Sequence, residues 1–309
     1  MAILFCSDPA AASRWRGELI PVLPGRDIRF WPEIGDPSEV EYAIVWHPER
    51  GLLASLPNLK LILSLGAGVD HILADPDWPR RVPIVRLVDP HMTDAMSEYV
   101  ALQVLRLHRQ DLDYQAQQRQ RVWHERAQKN AAERRVGILG FGALGRAAAA
   151  TLKALGFDVA AWSRREQAGS GVATYAGSGG FAAILGRSEI LVCLLPLTPE
   201  TEGILNATAF AQLPSGAALV NAGRGGHLVE ADLLAALDSG QLSAAVLDVF
   251  REEPLPPSHP FWHHPRIIVT PHAAAATHAP TAAAILCDSI RRFEQGLPVP
   301  NLIDPVSGY

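Results

Sequence analysis

Val136-Gly137-Ile138-Leu139-Gly140-Phe141-Gly142-Ala143-Leu144-Gly145 is the stretch that decides the fold. A short apolar run leads into glycines spaced G-x-G-x-x-G, and residues 144–155 continue with helical character. Alone the spacing is weak, because an ordinary glycine-rich turn also produces it. Between a strand and a helix it has a mechanism. Gly140 permits the tight turn, Gly142 lets a pyrophosphate approach the backbone, and Gly145 lets the helix pack close to the strand. The helix start, with Ala143 and Leu144, offers N–H groups and partial positive charge to phosphate. The stretch reads as a dinucleotide cradle.

Outward from the cradle, short apolar runs predict strands at 136–139, 157–162, 189–194, 217–221, 244–247 and 266–269. Six strands with intervening helices predict a doubly wound, Rossmann-type parallel sheet. Upstream, strands at 2–6, 42–46, 61–65 and 84–87, with helices at 10–19 and 48–56, predict a second, smaller parallel α/β domain. Residues 94–107 have helical periodicity, and 111–122 are polar and rich in Gln and Arg. They read as a long helix and an exposed arm reaching about Arg135, which is either a solvated face or a dimer contact. A helix at 277–293 is expected to fold back on the first domain. The expected division is 1–95 with 277–309, and 96–276.

Composition narrows the classes. A chain of 309 residues suggests two domains, and 48% hydrophobic with 19% charged residues is globular. The net charge of −5 gives no basic nucleic-acid footprint and no polybasic membrane patch. Cys6, Cys193 and Cys287 form no CxxC pair, as expected of a reducing compartment. Asp8 and Pro9 stop the first apolar run, so no signal peptide is expected. No stretch approaches the ~18 apolar residues of a membrane span. The expectation is a soluble cytoplasmic protein. Only Lys60, Lys129 and Lys153 are lysines, which disfavours Schiff-base chemistry. There is no GxxxxGK[ST], HExxH or GxSxG. His259, His263 and His264 lack partners at zinc spacing, so no metal site is expected.

The second strand of the cofactor domain ends at Trp162-Ser163-Arg164-Arg165. An NAD site usually has a carboxylate here for the ribose 2′-OH. A hydroxyl and two guanidiniums suit a 2′-phosphate instead, so NADP(H) is expected over NAD(H). Three further polar loops follow predicted strands. Arg224 lies in Asn221-Ala222-Gly223-Arg224-Gly225, Asp248 and Glu253 in Asp248-Val-Phe-Arg-Glu252-Glu253-Pro, and His272 in Thr270-Pro-His272-Ala-Ala. Parallel strands send such loops to one sheet edge. There Arg224 suits a substrate carboxylate, and His272 suits proton donation to a forming alkoxide. A carboxylate, Glu253 or its rival Glu252, would orient the imidazole. Alternatively, Arg224 is a surface residue, His272 is structural and Asp248 caps a turn.

Together these residues carry a resemblance. Gly140-Phe-Gly-Ala-Leu-Gly145, Leu194-Leu195-Pro196-Leu-Thr-Pro-Glu-Thr201, Asn221-Ala-Gly-Arg-Gly225, Leu247-Asp-Val-Phe followed by Glu253-Pro-Leu, and Thr270-Pro-His-Ala-Ala occur in order. The chain resembles the D-isomer-specific 2-hydroxyacid dehydrogenases over nearly its full length. Residues 42–48, 65–70 and 162–164, with Gly308-Tyr309, are similar to its glyoxylate- and hydroxypyruvate-reducing branch. His91-Met-Thr-Asp-Ala-Met-Ser-Glu98 follows the family's hinge segment only loosely.

The resemblance implies a discontinuous, flavodoxin-like lid domain and a cofactor domain that close over a cleft, usually in a homodimer. It implies NADPH-dependent reduction of a small 2-keto acid, giving glycolate or D-glycerate. Arg224 would bind substrate, and Glu253 would pair with His272, the proton donor. Asp248 would contact the nicotinamide carboxamide. Ala67 and Gly68 would offer N–H groups to the substrate carboxylate, and Trp46 would shape its pocket. Leu194, Leu195 and Pro196 would line the adenine side, with Ala222 and Gly223 also at the cofactor. A bulkier acid such as phenylpyruvate, or a cofactor-sensing protein of the same fold, is the alternative.

Overall fold

The computed structural model describes residues 1–165, 167 and 171–304; Gly308 and Tyr309 lie outside them. Its strands are β1 (Ala2–Cys6), β2 (Asp27–Phe30), β3 (Val40–Val45), β4 (Leu61–Ser64), β5 (Ile84–Val85), β6 (Arg135–Leu139), β7 (Asp158–Ser163), β8 (Ala173–Ala176), β9 (Ile190–Cys193), β10 (Ala217–Asn221), β11 (Leu242–Leu247) and β12 (Ile267–Val269). Its helices are α1 (Pro9–Val22), α2 (Asp70–Leu73), α3 (Pro90–His108), α4 (Asp111–Gln120), α5 (Ala143–Ala154), α6 (Gly177–Arg187), α7 (Ala207–Gln212), α8 (Glu230–Asp238) and α9 (Ala279–Glu294). The chain divides into two compact units, Met1–Met92 with Thr277–Tyr309, and Thr93–Ala276.

In the first unit a parallel sheet runs β2-β1-β3-β4-β5, the flavodoxin-like order. β1 is buried along its whole length, as a central parallel strand must be. Within this unit α9 is tied to the first segment: Cys287 Sγ donates to the Val22 carbonyl at 3.0 Å, and Arg26 pairs with Glu294 at 2.6 Å. The helix expected at 48–56 is instead a run of turns, with bonds such as Leu52 N–H to the Glu49 carbonyl and Ser55 N–H to the Leu52 carbonyl. Gly51 sits at φ +80, which breaks helical propagation. The apolar spacing that suggested a helix serves the core instead, since Leu52, Leu53 and Leu56 are all buried.

In the second unit the parallel sheet runs β12-β11-β10-β9-β6-β7-β8, doubly wound about β6. Alternate residues feed two cores. Leu191, Leu219 and Leu247 join Leu185, Phe210 and Leu233 on one face. Ile138, Val192, Val220 and Val246 join Val100, Val104 and Leu152 on the other. Seven strands replace the six expected, because Ala173–Ala176 adds an edge strand. The arm after α3 begins as a helix, α4, with no buried residue.

The register sets up the site. Trp162, Leu139, Cys193, Asn221, Leu247 and Val269 pair in one row across the sheet. The next residues, Ser163, Gly140, Leu194, Ala222, Asp248 and Thr270, therefore stand along one carboxyl edge. Backbone bonds carry the row one step further, as in Gly140 N–H to the Trp162 carbonyl (2.9 Å) and Asp248 N–H to the Asn221 carbonyl (3.0 Å).

Candidate active site

The cradle is shaped by contacts that exclude a side chain. Gly140 has φ +99, and a Cβ there would lie 2.6 Å from the Leu194 carbonyl oxygen. A Cβ on Gly145 would collide with the Gly140 carbonyl. At Gly142, by contrast, apart from its two neighbours in the chain, no residue among those described brings a heavy atom within 4 Å of a Cβ position. Gly142 is the N-cap of α5, whose first turn holds no acidic residue and receives no side-chain cap among the described residues. The opening beside Gly142 thus lies at a positive helix end whose first turn carries no carboxylate, and the fit to a pyrophosphate is good.

Ser163, Arg164 and Arg165 stand at the end of β7. The Ser163 hydroxyl donates to the Arg165 carbonyl at 2.6 Å and shapes the turn, while both arginines are exposed. The charge of Arg164, after the Thr198 hydroxyl and the local backbone, helps hold the Glu200 carboxyl below its usual range.

Glu253, His272 and Arg224 come together. His272 Nδ1 lies 2.8 Å from Glu253 Oε2, and the Phe250 N–H donates to Glu253 Oε1 at 2.9 Å. Glu252 is not the partner. Burial by itself would raise the Glu253 carboxyl; the bonds from His272 and Phe250, with the charges of His272 and Arg224, outweigh it and hold the group below its ordinary value. An ionised carboxylate only accepts, so Nδ1 carries the hydrogen and Nε2 is left for proton transfer. His272 and Glu253 are each about one-third exposed (34% and 34%). Arg224 is half-buried, and its Nη1 donates to the Gly223 carbonyl at 2.8 Å.

His272 sits at φ +51, an uncommon conformation for a side-chain-bearing residue. Asp248 holds it there. Its buried carboxylate accepts from the Thr270 hydroxyl (2.6 Å), Ala273 N–H (2.9 Å) and Ala274 N–H (3.0 Å). Its carbonyl accepts the His272 N–H at 2.8 Å. Three donors of the His272 loop thus engage the carboxylate that the family resemblance assigned to the cofactor. The Thr270 hydroxyl spends its hydrogen on Asp248, so the Tyr99 hydroxyl, 2.8 Å away, must donate to Thr270. Burial raises the Tyr99 phenol to about 12, so it keeps that proton.

Within the first unit, Trp46 follows β3 and its N–H donates to the Cys6 carbonyl at 2.8 Å. Its ring lies against Gly66, where a Cβ would strike it, and 4.5 Å from the His71 ring. The buried Ser64 hydroxyl donates to the Gly68 carbonyl (3.0 Å) and accepts from Gly66 N–H (3.2 Å), forming the loop that carries Ala67 and Gly68.

Sequence reasoning missed Tyr99, Thr270 and Ser64 as supports. Thr270 lay inside a quoted motif; the others share no motif with the groups they hold. Among the described residues no cluster of His, Cys, Asp or Glu has the arrangement of a metal site. His259 pairs with Glu230 at 3.3 Å and His264 with Asp238 at 3.6 Å. No helix among them is long and apolar enough to cross a membrane.

A doubly wound domain with this cradle and these loops is a dinucleotide-binding architecture, and comparison with known proteins defines it further. Residues 101–274 match the model of the D-isomer specific 2-hydroxyacid dehydrogenase family, NAD binding domain. The chain belongs to this family. It is 43% identical, over the whole of both chains, to a glyoxylate/hydroxypyruvate reductase A of Yersinia enterocolitica. A solved D-isomer specific 2-hydroxyacid dehydrogenase of Xanthobacter autotrophicus, in complex with NADPH and MES, matches with TM-score 0.94 and 45% identity, covering 100% of this chain and 99% of that one. An NADPH-dependent glyoxylate/hydroxypyruvate reductase of Sinorhizobium meliloti, in complex with NADP and sulfate, matches with TM-score 0.94 and 42% identity over the whole of both.

Proposed function

We propose that this protein reduces small 2-keto acids, glyoxylate and hydroxypyruvate, with NADPH. The observation that carries the reading is the Glu253–His272 pair at 2.8 Å, close enough to Arg224 for its charge to act on Glu253, at the sheet edge that holds the cradle. The names of the relatives and the ligands of the solved neighbours agree with it.

Gly140, Gly142, Ala143, Leu144 and Gly145 would hold the pyrophosphate, and Ser163, Arg164 and Arg165 the 2′-phosphate. Leu194, Leu195, Pro196, Ala222 and Gly223 would line the dinucleotide. NADPH, when bound, supplies the hydride. Arg224 binds the carboxylate of the keto acid by a charge-assisted fork. His272 donates the Nε2 proton to the carbonyl oxygen as negative charge develops on it. Glu253 keeps the ring oriented, and Asp248 keeps the His272 loop in its strained conformation. Trp46, Ala67 and Gly68 serve the substrate in this reading.

We read the arm from α4 to Trp123 as the contact between two copies of the chain. Trp123 is fully exposed and Val122 is half exposed, an arrangement that favours association. Three free, buried cysteines suit a cytoplasmic location.

The test is a set of initial rates for glyoxylate, hydroxypyruvate, pyruvate and phenylpyruvate with NADPH and with NADH. The two small acids with NADPH should give the highest kcat/KM. Preference for the bulky acid would overturn the substrate assignment. Cofactor binding without turnover of any acid would favour a sensor.

A further inference from the structure

We propose that His227 is a positioning residue that holds the Arg224 loop through one ring nitrogen and the Pro196 loop through the other, and so supports substrate affinity through the first and cofactor affinity through the second. The inference rests on the reading of Arg224 as the carboxylate-binding group.

The ladder between β9 and β10 ends where Ala222 N–H meets the Cys193 carbonyl at 3.1 Å. The two chains part there and rejoin where Gly203 N–H meets the Gly226 carbonyl at 2.9 Å. Arg224 and Pro196 lie in the gap between these two joints. His227, fully buried at the end of the turn Gly225–His227, spans it. Its Nδ1 accepts the Arg224 N–H at 3.0 Å, and its Nε2 lies 3.2 Å from the Pro196 carbonyl.

These two partners fix the state of the ring. A backbone N–H can only donate, so Nδ1 holds a lone pair. A carbonyl can only accept, so Nε2 carries the hydrogen. The imidazole is therefore neutral, in one tautomer, with one nitrogen for each loop. Its freedom is small: Cys193 Sγ lies 3.8 Å from Nδ1, and a Cβ on Gly223 would sit 3.0 Å from the ring. A rigid ring in this place anchors one backbone group of the substrate loop and one of the dinucleotide loop, each through its own nitrogen. The Thr201 hydroxyl, also on the Pro196 carbonyl at 2.8 Å, braces the far side.

The two nitrogens can be separated by substitution. Asparagine puts an acceptor near the Nδ1 position and does not reach Pro196. Glutamine puts a donor near the Nε2 position and leaves the Arg224 N–H unserved. In the purified full chain, His227→Asn should keep the KM for glyoxylate close to wild type and weaken the Kd for NADPH. His227→Gln should do the reverse. His227→Leu should worsen both, by about 10- to 100-fold, the scale of a small misplacement of a binding group. Thermal melting checks that each variant is folded, and if the leucine variant does not fold, the crossover between the other two decides. Folded variants with both constants at wild-type values, or both constants shifting together in His227→Asn and His227→Gln, would overturn the inference. Arg224→Ala separates the underlying reading: an unchanged glyoxylate KM there removes Arg224 from substrate binding. A raised KM in Arg224→Ala without the His227 crossover removes only His227.

Discussion

Gly142→Ala and Gly140→Ala form a matched pair whose outcomes should diverge. Gly142 has φ −80 and ψ −159, open to alanine, and apart from its two chain neighbours no described residue brings a heavy atom within 4 Å of the added methyl. Its stability should change by no more than about 1 kcal/mol. The methyl would instead occupy the opening in front of α5. Losing one charge-assisted hydrogen bond to a pyrophosphate costs about 1.5–3 kcal/mol, or about 10- to 150-fold in the Kd for NADPH. Gly140 is the opposite case. Its φ of +99 and the 2.6 Å approach of the Leu194 carbonyl oxygen penalise any side chain in the fold itself. About 2 kcal/mol or more is expected, a fall of about 4–8 °C in Tm for a unit of this size. Calorimetric titration with NADPH and thermal melting read the two effects separately. A Gly142→Ala protein that melts and binds NADPH like wild type would refute the placement of phosphate in front of α5. An undiminished Tm in Gly140→Ala would refute the steric argument at the turn.

His272→Ala should fold and lose about 10²–10⁴ in kcat, as expected for a positioned acid; wild-type turnover would remove His272 from the mechanism. Ser163→Asp with Arg164→Ala should weaken NADPH and favour NADH, and an unchanged cofactor preference would show that these side chains do not read the 2′ position. Glu253 is held below its ordinary value in the folded state. Its stabilising contribution is therefore complete above the unfolded carboxylate range and lost as pH falls through the lower folded value. The Tm of Glu253→Gln should thus approach wild type as the solution is acidified, and a constant gap down to the acid limit would contradict the pairing with His272. Full burial raises the Cys193 thiol to about 12, and burial raises the Cys6 thiol to about 11. Neither should react with a thiol reagent at neutral pH before unfolding, and rapid labelling of the folded chain would contradict that burial.

The central strands were legible because they are buried on both faces and spell continuous apolar runs, as in Ile190-Leu-Val-Cys193. The two strands missed, Asp27-Ile-Arg-Phe30 and Ala173-Thr-Tyr-Ala176, are both sheet edges. Edge strands meet solvent and carry charged or small residues, which erases the pattern. At residues 48–56 the spacing of buried leucines imitated a helix, and Gly51 decided otherwise. The pairing of Glu253 rather than Glu252 with His272 rests on the turn after Phe250, which no spacing rule distinguishes. Arg224 and His272 were visible because each lies three residues past the end of a strand, in the loop that leaves it. His227 and Tyr99 were not, because their partners are backbone groups or lie far along the chain. Within the Arg224 loop the available signal was a histidine three residues past Arg224, in a stretch that is otherwise glycine and apolar.

The single row of paired strand ends has a consequence for how this chain could be altered. Ser163 ends one strand and Thr270 follows another five intervals away in the sheet, roughly 24 Å at ordinary strand spacing. Groups that far apart make no direct contact, so in this reading only the coenzyme between them could couple them. A change of coenzyme preference at one flank and a change of proton chemistry at the other should therefore combine additively, apart from what the coenzyme transmits, so that each property can be evolved or engineered without re-optimising its counterpart.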